Sequence, residues 1–255
     1  MTGSFLNDLA EHGLVIVDNL CQPSFERFDA VVQDGLADIL SIDFSQGPVV
    51  VPDLNEKRIE TFRKLNAIAD WDKLYFSMAQ RYVSQLLGPD LLIQRKLNLS
   101  IQLPEDKTST LGIHADTLSG QSPFEVVVWT AFTDVFETNG MFYFDLDVSR
   151  DIFNDMAIHE TEGLEFLREK YWDKVKFLDM KKGQICIFSG TIFHGNIPNA
   201  TAVPRVSINC RFKNIYTPNG SRQSTDRSGG VFYRTLTQSP VSTIAREYLE
   251  REIEF

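Results

Sequence analysis

Cysteine is scarce: three in 255 residues, Cys21, Cys186 and Cys210, with no CxxC pair. That excludes a disulfide framework and a thiolate zinc site, and leaves buried free thiols as the plain reading. Positive charge is also short, 25 Lys plus Arg against 35 Asp plus Glu, for a net charge of −10. On average such a surface repels phosphate backbones and anionic lipid, so neither nucleic acid nor membrane is expected as a partner; a small-molecule substrate is. No apolar run approaches the ~18 residues of a membrane span. The segment Met1 to Gly13 lacks the basic start and apolar core of a secretory signal, so a cytoplasmic location is expected. Low-complexity tracts and repeats of solenoid period are missing too, which points to one domain over residues 1–255: a helical third (1–90), a β core (91–214) and a C-terminal lid or tail (215–255).

What is present is periodicity. Gly13 opens the apolar run Leu14 to Val17, and Pro23 leads into Phe25, Phe28, Val31, Val32 and Leu36 at helical spacing, predicting a strand and then a helix. Apolar residues three and four apart from Arg58 to Leu87, broken near Asp70 and stopped at Gly88, predict two amphipathic helices. After Pro89 the period becomes two. Leu97, Leu99, Ile101 and Leu103 alternate with Asn98, Ser100 and Gln102; Val206, Ile208, Cys210 and Phe212 alternate with Arg205, Ser207, Asn209 and Arg211. Runs at 124–133, 140–145 and 184–189, rich in Val, Ile, Phe, Tyr and Trp, add strands. The fold class is therefore mainly β with flanking helices, a sandwich or barrel. Residues 33–51 and 216–239 read as loops or lids, and 241–252 as a short charged helix.

The four histidines separate by context. His12, beside Gly13, and His159, in a polar stretch, read as surface residues. His114 stands two before Asp116, and on an extended chain residues i and i+2 share a face, so imidazole and carboxylate converge. His194 follows the run 185–189, and a barrel can bring it to the same place. Two imidazoles and one carboxylate on one side of a metal form the facial triad of non-haem Fe(II) oxygenases. Arg205 and Ser207 offer a fork and a hydroxyl on one face, donors suited to a terminal carboxylate. An interior lined by Asn98, Ser100, Gln102, Ser207 and Asn209 also demands a polar ligand, since empty it would be costly.

These residues carry a resemblance. The blocks His12–Leu20, His114–Asp116 with Val127–Asp134 and Asn139-Gly140, and Gly183–Ser189 with His194–Asn196, Asn199 and Pro204-Arg205 cover about half the chain. In their order and spacing the sequence resembles the Fe(II)/2-oxoglutarate-dependent oxygenases, in the phytanoyl-CoA dioxygenase-like branch, and is similar to a subgroup found among bacterial surface-carbohydrate genes. The resemblance implies a double-stranded β-helix of jelly-roll or cupin-like type. It implies Fe(II) on His114, Asp116 and His194, and 2-oxoglutarate chelating that iron with its far carboxylate on Arg205. Trp129 would flank the cosubstrate, with Asn98 and Gln102 as further contacts, and O₂ and 2-oxoglutarate would oxidise a small molecule with release of succinate and CO₂. Because related halogenases carry a small residue in place of the Asp116 carboxylate, hydroxylation is expected over halogenation.

The sequence departs from the branch after Asn139-Gly140, where Met141 to Val148 runs into a polar helical insertion of about 30 residues, expected with 33–51 and the tail to cover the barrel mouth. In that tail Arg222, Arg227 and Arg234 form a basic segment that reads either as solvated surface or as a clasp on an anionic substrate such as an acidic or phosphorylated sugar. Two other readings stay open: a cupin-type metal isomerase or hydrolase, and a non-catalytic binding protein on the same scaffold.

Overall fold

Alternation after Pro89 and helical spacing before it build two sheets and a helical layer. The computed structural model describes residues 4–47, 49–159, 161–218 and 232–250. The N-terminal elements are α1 (Ser4–His12), β1 (Leu14–Val17), α2 (Gln22–Leu40), α3 (Leu54–Asn66) and α4 (Trp71–Leu87). There follow β2 (Leu91–Gln94), β3 (Asn98–Gln102), β4 (Val126–Ala131), β5 (Phe142–Tyr143), α5 (Leu146–Met156) and α6 (Gly163–Lys170). The chain continues through β6 (Lys176–Phe177), β7 (Ile185–Ser189), β8 (His194–Gly195), β9 (Arg205–Asn214), β10 (Tyr233–Thr237) and α7 (Pro240–Glu250).

A seven-stranded antiparallel sheet runs in the order β1-β7-β4-β9-β2-β10, with β3 also paired to β9, and a three-stranded sheet runs β6-β5-β8. The outer face of the large sheet is apolar and carries the helices: Phe28, Val32 and Leu36 of α2 and Met78 of α4, all 0% exposed, pack in one cluster with Leu99, Ile101, Val206 and Ile208. Each such side chain contributes about 1.5–3 kcal/mol. The Tyr75 hydroxyl donates to the Val128 carbonyl at 2.9 Å and so ties α4 to β4. Between the two sheets lies a second cluster that includes Val127, Trp129, Met141, Leu178 and Phe188. The arrangement is the expected one, mainly antiparallel strands with flanking helices around a double-stranded β-helix core.

Three expectations change. Residues 33–40, read as loop, continue α2. Gly35 lies where α2 meets α3, and a Cβ there would stand 2.3 Å from Thr61 Oγ1, so the glycine marks close helix contact; α2 kinks beside it at Leu36, where φ is −125° and ψ 15°. Gly35→Val should cost about 1–3 kcal/mol by overpacking, lowering Tm by several degrees in a thermal melt.

The tail is not all loop. Tyr233 to Thr237 form β10 against β2, while 219–231 lie outside the described residues. Neither strand alternates apolar with polar residues, which is why both escaped the period-two reading.

The insertion does not place its buried side chains over the mouth. Ile152 of α5 and Leu167 of α6 cluster with Ile113, Ala115 and Phe193, the neighbours of His114 and His194, and so back the opposite side of those segments.

Candidate metal centre

His114 and His194 are brought together by the backbone before any side chain acts. Their peptide groups exchange two hydrogen bonds of 2.9 Å across an antiparallel bridge, setting the imidazole centroids 4.3 Å apart. Ala115 is extended, at φ −118° and ψ 137°, so Asp116 returns to the face of His114, with Oδ1 3.9 Å from His114 Nε2. One ligand atom from each of His114, Asp116 and His194 lies within 4.8 Å of the others, a group able to hold a metal ion.

Each imidazole is tethered by its inner nitrogen. His114 Nδ1 lies 2.9 Å from the Gly112 carbonyl and His194 Nδ1 3.0 Å from the Ile192 carbonyl. A carbonyl only accepts, so both Nδ1 atoms carry the hydrogen and both Nε2 lone pairs are left for a ligand. Burial, and then the neighbouring His114, push His194 down to about 4. Burial would raise the Asp116 carboxyl, but Arg211 first and then His194 and His114 outweigh it and hold it below the usual range. At neutral pH the donors are thus a carboxylate and an unprotonated buried imidazole, the forms a divalent cation binds.

Behind Asp116 lies a polar group that the sequence reading passed over. Arg211 donates to Asp116 Oδ2 from Nη2 at 2.8 Å and from Nε at 3.2 Å, and from Nη1 to Gln94 Oε1 at 3.2 Å. Its Nε also stands 3.2 Å from Glu125 Oε1, at ion-pair distance without hydrogen-bond geometry. Tyr233 donates to the other Glu125 oxygen. Burial lifts Glu125 to about 7 against the pull of Arg211 and Tyr233. Arg211 was visible as the last polar position of the β9 alternation; Glu125 precedes β4 with no pattern to mark it, and Tyr233 lay in the presumed loop.

These shifts set a pH prediction. Between about 4 and 6.5 the unfolded chain binds a proton at His194 that the folded, metal-free protein does not, so acidification through this window removes stability. Glu125 acts oppositely: between 4.5 and about 7 the folded state holds the extra proton, so its contribution is lost as pH rises. The two offset each other where they overlap. Glu125→Gln should therefore make the unfolding free energy fall more steeply than in wild type from pH 6.5 to 4.5, by at most about 1.4 kcal/mol per pH unit, which a series of thermal melts reads as a steeper drop in Tm.

The other lumen residues expected from the sequence also converge. In the β3–β9 register Asn98 faces Asn209, Ser100 faces Ser207 and Gln102 faces Arg205. Arg205, 5% exposed, donates from Nη2 to Ser100 Oγ at 3.0 Å and lies 5.9 Å from the Trp129 ring centroid. It has no carboxylate partner among the described residues, and burial pushes it down to about 10. Arg205 Nε, Ser207 Oγ and Gln102 Oε1 are buried without a hydrogen-bond partner, while Gln102 Nε2 donates to the Ile197 carbonyl and Asn98 to Asn209. A buried guanidinium beside unpaired acceptors and donors is a receptor for an anion that also takes and gives hydrogen bonds. A cleft of about 810 Å³, lined by Val50, Arg58, Ser100 and Leu111 among others, reaches the Ser100 partner of this arginine.

Other residues stand apart. Tyr233 reaches inward, so its β10 neighbour Arg234 points to the helices. Its Nη2 pairs with Asp72 at 2.9 Å and its guanidinium lies 4.9 Å from the Trp71 ring centroid, which commits it there and not to the expected substrate clasp. Arg222 and Arg227 lie outside the described residues. His12 and His159 sit beside the acids Asp145 and Glu162, away from the triad. The three cysteines are free. Among the described residues no helix is long and apolar enough to cross a membrane.

Neither a family model nor a curated protein matches the chain. Solved structures do. A non-heme monooxygenase, ThoJ, in its nickel complex, aligns over 92% of this chain and 84% of its own at 19% identity and TM-score 0.59. EctD from S. alaskensis with 2-oxoglutarate and 5-hydroxyectoine aligns over 93% and 86% at 14% identity and TM-score 0.62. HygX from Streptomyces hygroscopicus, with nickel and 2-oxoglutarate bound, aligns over 92% and 98% at 12% identity and TM-score 0.56. These likenesses show a shared fold.

Proposed function

We propose that the protein is an Fe(II)- and 2-oxoglutarate-dependent oxygenase of the phytanoyl-CoA dioxygenase-like branch, hydroxylating a small molecule in a single domain. The observation that carries this reading is the pairing of two features in one lumen: three ligand atoms within 4.8 Å, and a buried arginine with unpaired polar neighbours and no carboxylate partner among the described residues. A cupin-type isomerase or hydrolase would use the second feature only for an anionic substrate, whereas the proposed cosubstrate accounts for both features at once. HygX, which shares the fold and was solved with nickel and 2-oxoglutarate bound, supports the same pairing.

With iron bound, the centre would couple O₂ to the oxidation of 2-oxoglutarate, which leaves as succinate and CO₂ while one oxygen atom enters a substrate C–H bond. The chain's own residues supply the setting. Nδ1 tethers aim His114 and His194, Arg211 holds the outer oxygen of Asp116, and Arg205 with Ser207 and Gln102 receives the distal carboxylate of the cosubstrate beside Trp129. Apolar Phe188, packed edge-on to His194 with centroids 5.1 Å apart, helps to exclude water from that side.

The test is anaerobic addition of Fe(II) and 2-oxoglutarate, separately and together. A weak visible charge-transfer band that needs both components is expected; its absence at saturating concentrations of both would sink the reading. Succinate release then ranks a substrate panel, with neutral and anionic sugars included on the strength of the sequence resemblance.

A further inference from the structure

Two arginines face the lumen from β9, at positions 205 and 211, and they differ in what they hold. Arg205 has one hydroxyl partner and an unpaired Nε. Arg211 has three of its five N–H donors in hydrogen bonds, two on Asp116 Oδ2 and one on Gln94, with Glu125 alongside Nε. An arginine so engaged has its fork turned onto a carboxylate of the protein. Its geometry acts on Asp116.

Both of the hydrogen bonds from Arg211 to Asp116 fall on the same oxygen. Oδ2 receives Nε at 3.2 Å and Nη2 at 2.8 Å, whereas Oδ1 is the oxygen that lies 3.9 Å from His114 Nε2. A carboxylate free to turn can offer a metal one oxygen or both. Here the guanidinium occupies the outer oxygen and fixes the plane of the group. The guanidinium is itself fixed: Gln94 of β2 takes Nη1, Glu125 flanks Nε, and Tyr233 of β10 holds the far oxygen of Glu125. Asp116, Arg211 and Glu125 are all buried, at 4%, 9% and 1% exposure, so solvent neither competes for these bonds nor offers the carboxylate another orientation.

We propose that Arg211, braced by Glu125, Gln94 and Tyr233, is a positioning residue that commits Asp116 to single-oxygen coordination through Oδ1 and so keeps a further position on the metal open. This rests on the metal centre proposed above. Lysine would not replace it, since one ammonium cannot place two donors on Oδ2 and a third on Gln94.

The probe is Co²⁺, whose d–d spectrum reports coordination number while its titration reports affinity. Arg211→Met alone would strand a buried Glu125, so the variant of choice is Arg211→Met with Glu125→Gln. Co²⁺ affinity is expected to fall roughly 10- to 100-fold, the usual cost of losing a partner of a metal ligand. The spectrum is expected to shift toward higher coordination as Asp116 turns to offer both oxygens, and Arg211→Lys should lie between this variant and wild type. Wild-type affinity and spectrum in the folded double variant would overturn the inference. Should that protein not fold, Glu125→Gln alone decides: a severalfold loss of Co²⁺ affinity supports the clamp, and no change overturns it. Failure of the metal centre itself would look different, as wild-type protein that takes no Co²⁺, or as Asp116→Ala that takes it as wild type does. Binding that needs Asp116 but ignores Arg211 would overturn this inference alone.

Discussion

His194→Ala should leave a folded protein that no longer retains iron. The imidazole is one of the three proposed ligands, and its neighbours cannot move up: His114 is pinned by its bridge to position 194, and Asp116 by Arg211. Loss of a direct ligand should cost more than the roughly 100-fold that loss of a supporting partner costs. Iron-dependent turnover should fall to background, and Asp116→Ala and His114→Ala should do the same. The fold should survive, because the peptide bridge between 114 and 194 uses no side chain. Equilibrium dialysis against Fe(II) with near-ultraviolet circular dichroism separates the two effects. His12→Ala and His159→Ala are the controls, expected to bind iron as wild type does. Wild-type iron retention in His194→Ala would remove the triad from consideration.

The second large effect belongs to Arg205. In Arg205→Lys the ammonium retains the charge but not the fork, and the paired hydrogen bonds to a terminal carboxylate are lost. Leaving that carboxylate half-satisfied costs on the order of 1.5–3 kcal/mol, about ten- to a hundred-fold in the 2-oxoglutarate requirement. Iron affinity should hardly change, since Arg205 bonds Ser100 and not a ligand of the metal. Titration of 2-oxoglutarate into the Fe(II) protein, read by the visible band, measures the first quantity, and dialysis the second. Equal loss of both would make Arg205 a structural residue.

How much of this the sequence made legible follows from which interactions are local. The pairing of His114 with Asp116 needs only an extended backbone, and the polar faces of β3 and β9 need only a period of two, so the triad positions and Arg205 could be named from spacing. Arg211 was part of the same alternation, yet its task is set by Glu125 and Tyr233, and no periodicity relates three residues that meet only through the barrel. β2 and β10 stayed hidden for a related reason: Leu91–Gln94 is nearly all buried, and Tyr233–Thr237 mixes polar and apolar residues without order. Residues 33–40 misled in the opposite direction, because Gly35 is there to let Thr61 approach. The insertion was recognised as helical, but which side of the metal-bearing segments it packs on depends on Ile152 and Leu167 finding Phe193, a tertiary choice.

β9 sets the spacing of the two lumen arginines. It carries Arg205 and Arg211 on one face of a ten-residue strand, so at about 3.3 Å per residue their Cα atoms are spaced by roughly 20 Å along a single ruler. A one-residue insertion upstream of Arg205 can be absorbed in the loop after Asn199. The same insertion between the two arginines would turn one of them toward the helices while the other stayed inside, uncoupling the proposed cosubstrate receptor from the brace on Asp116. Homologues of this chain should therefore vary freely in the lengths of the segments around the mouth, yet keep the interval between these two positions even.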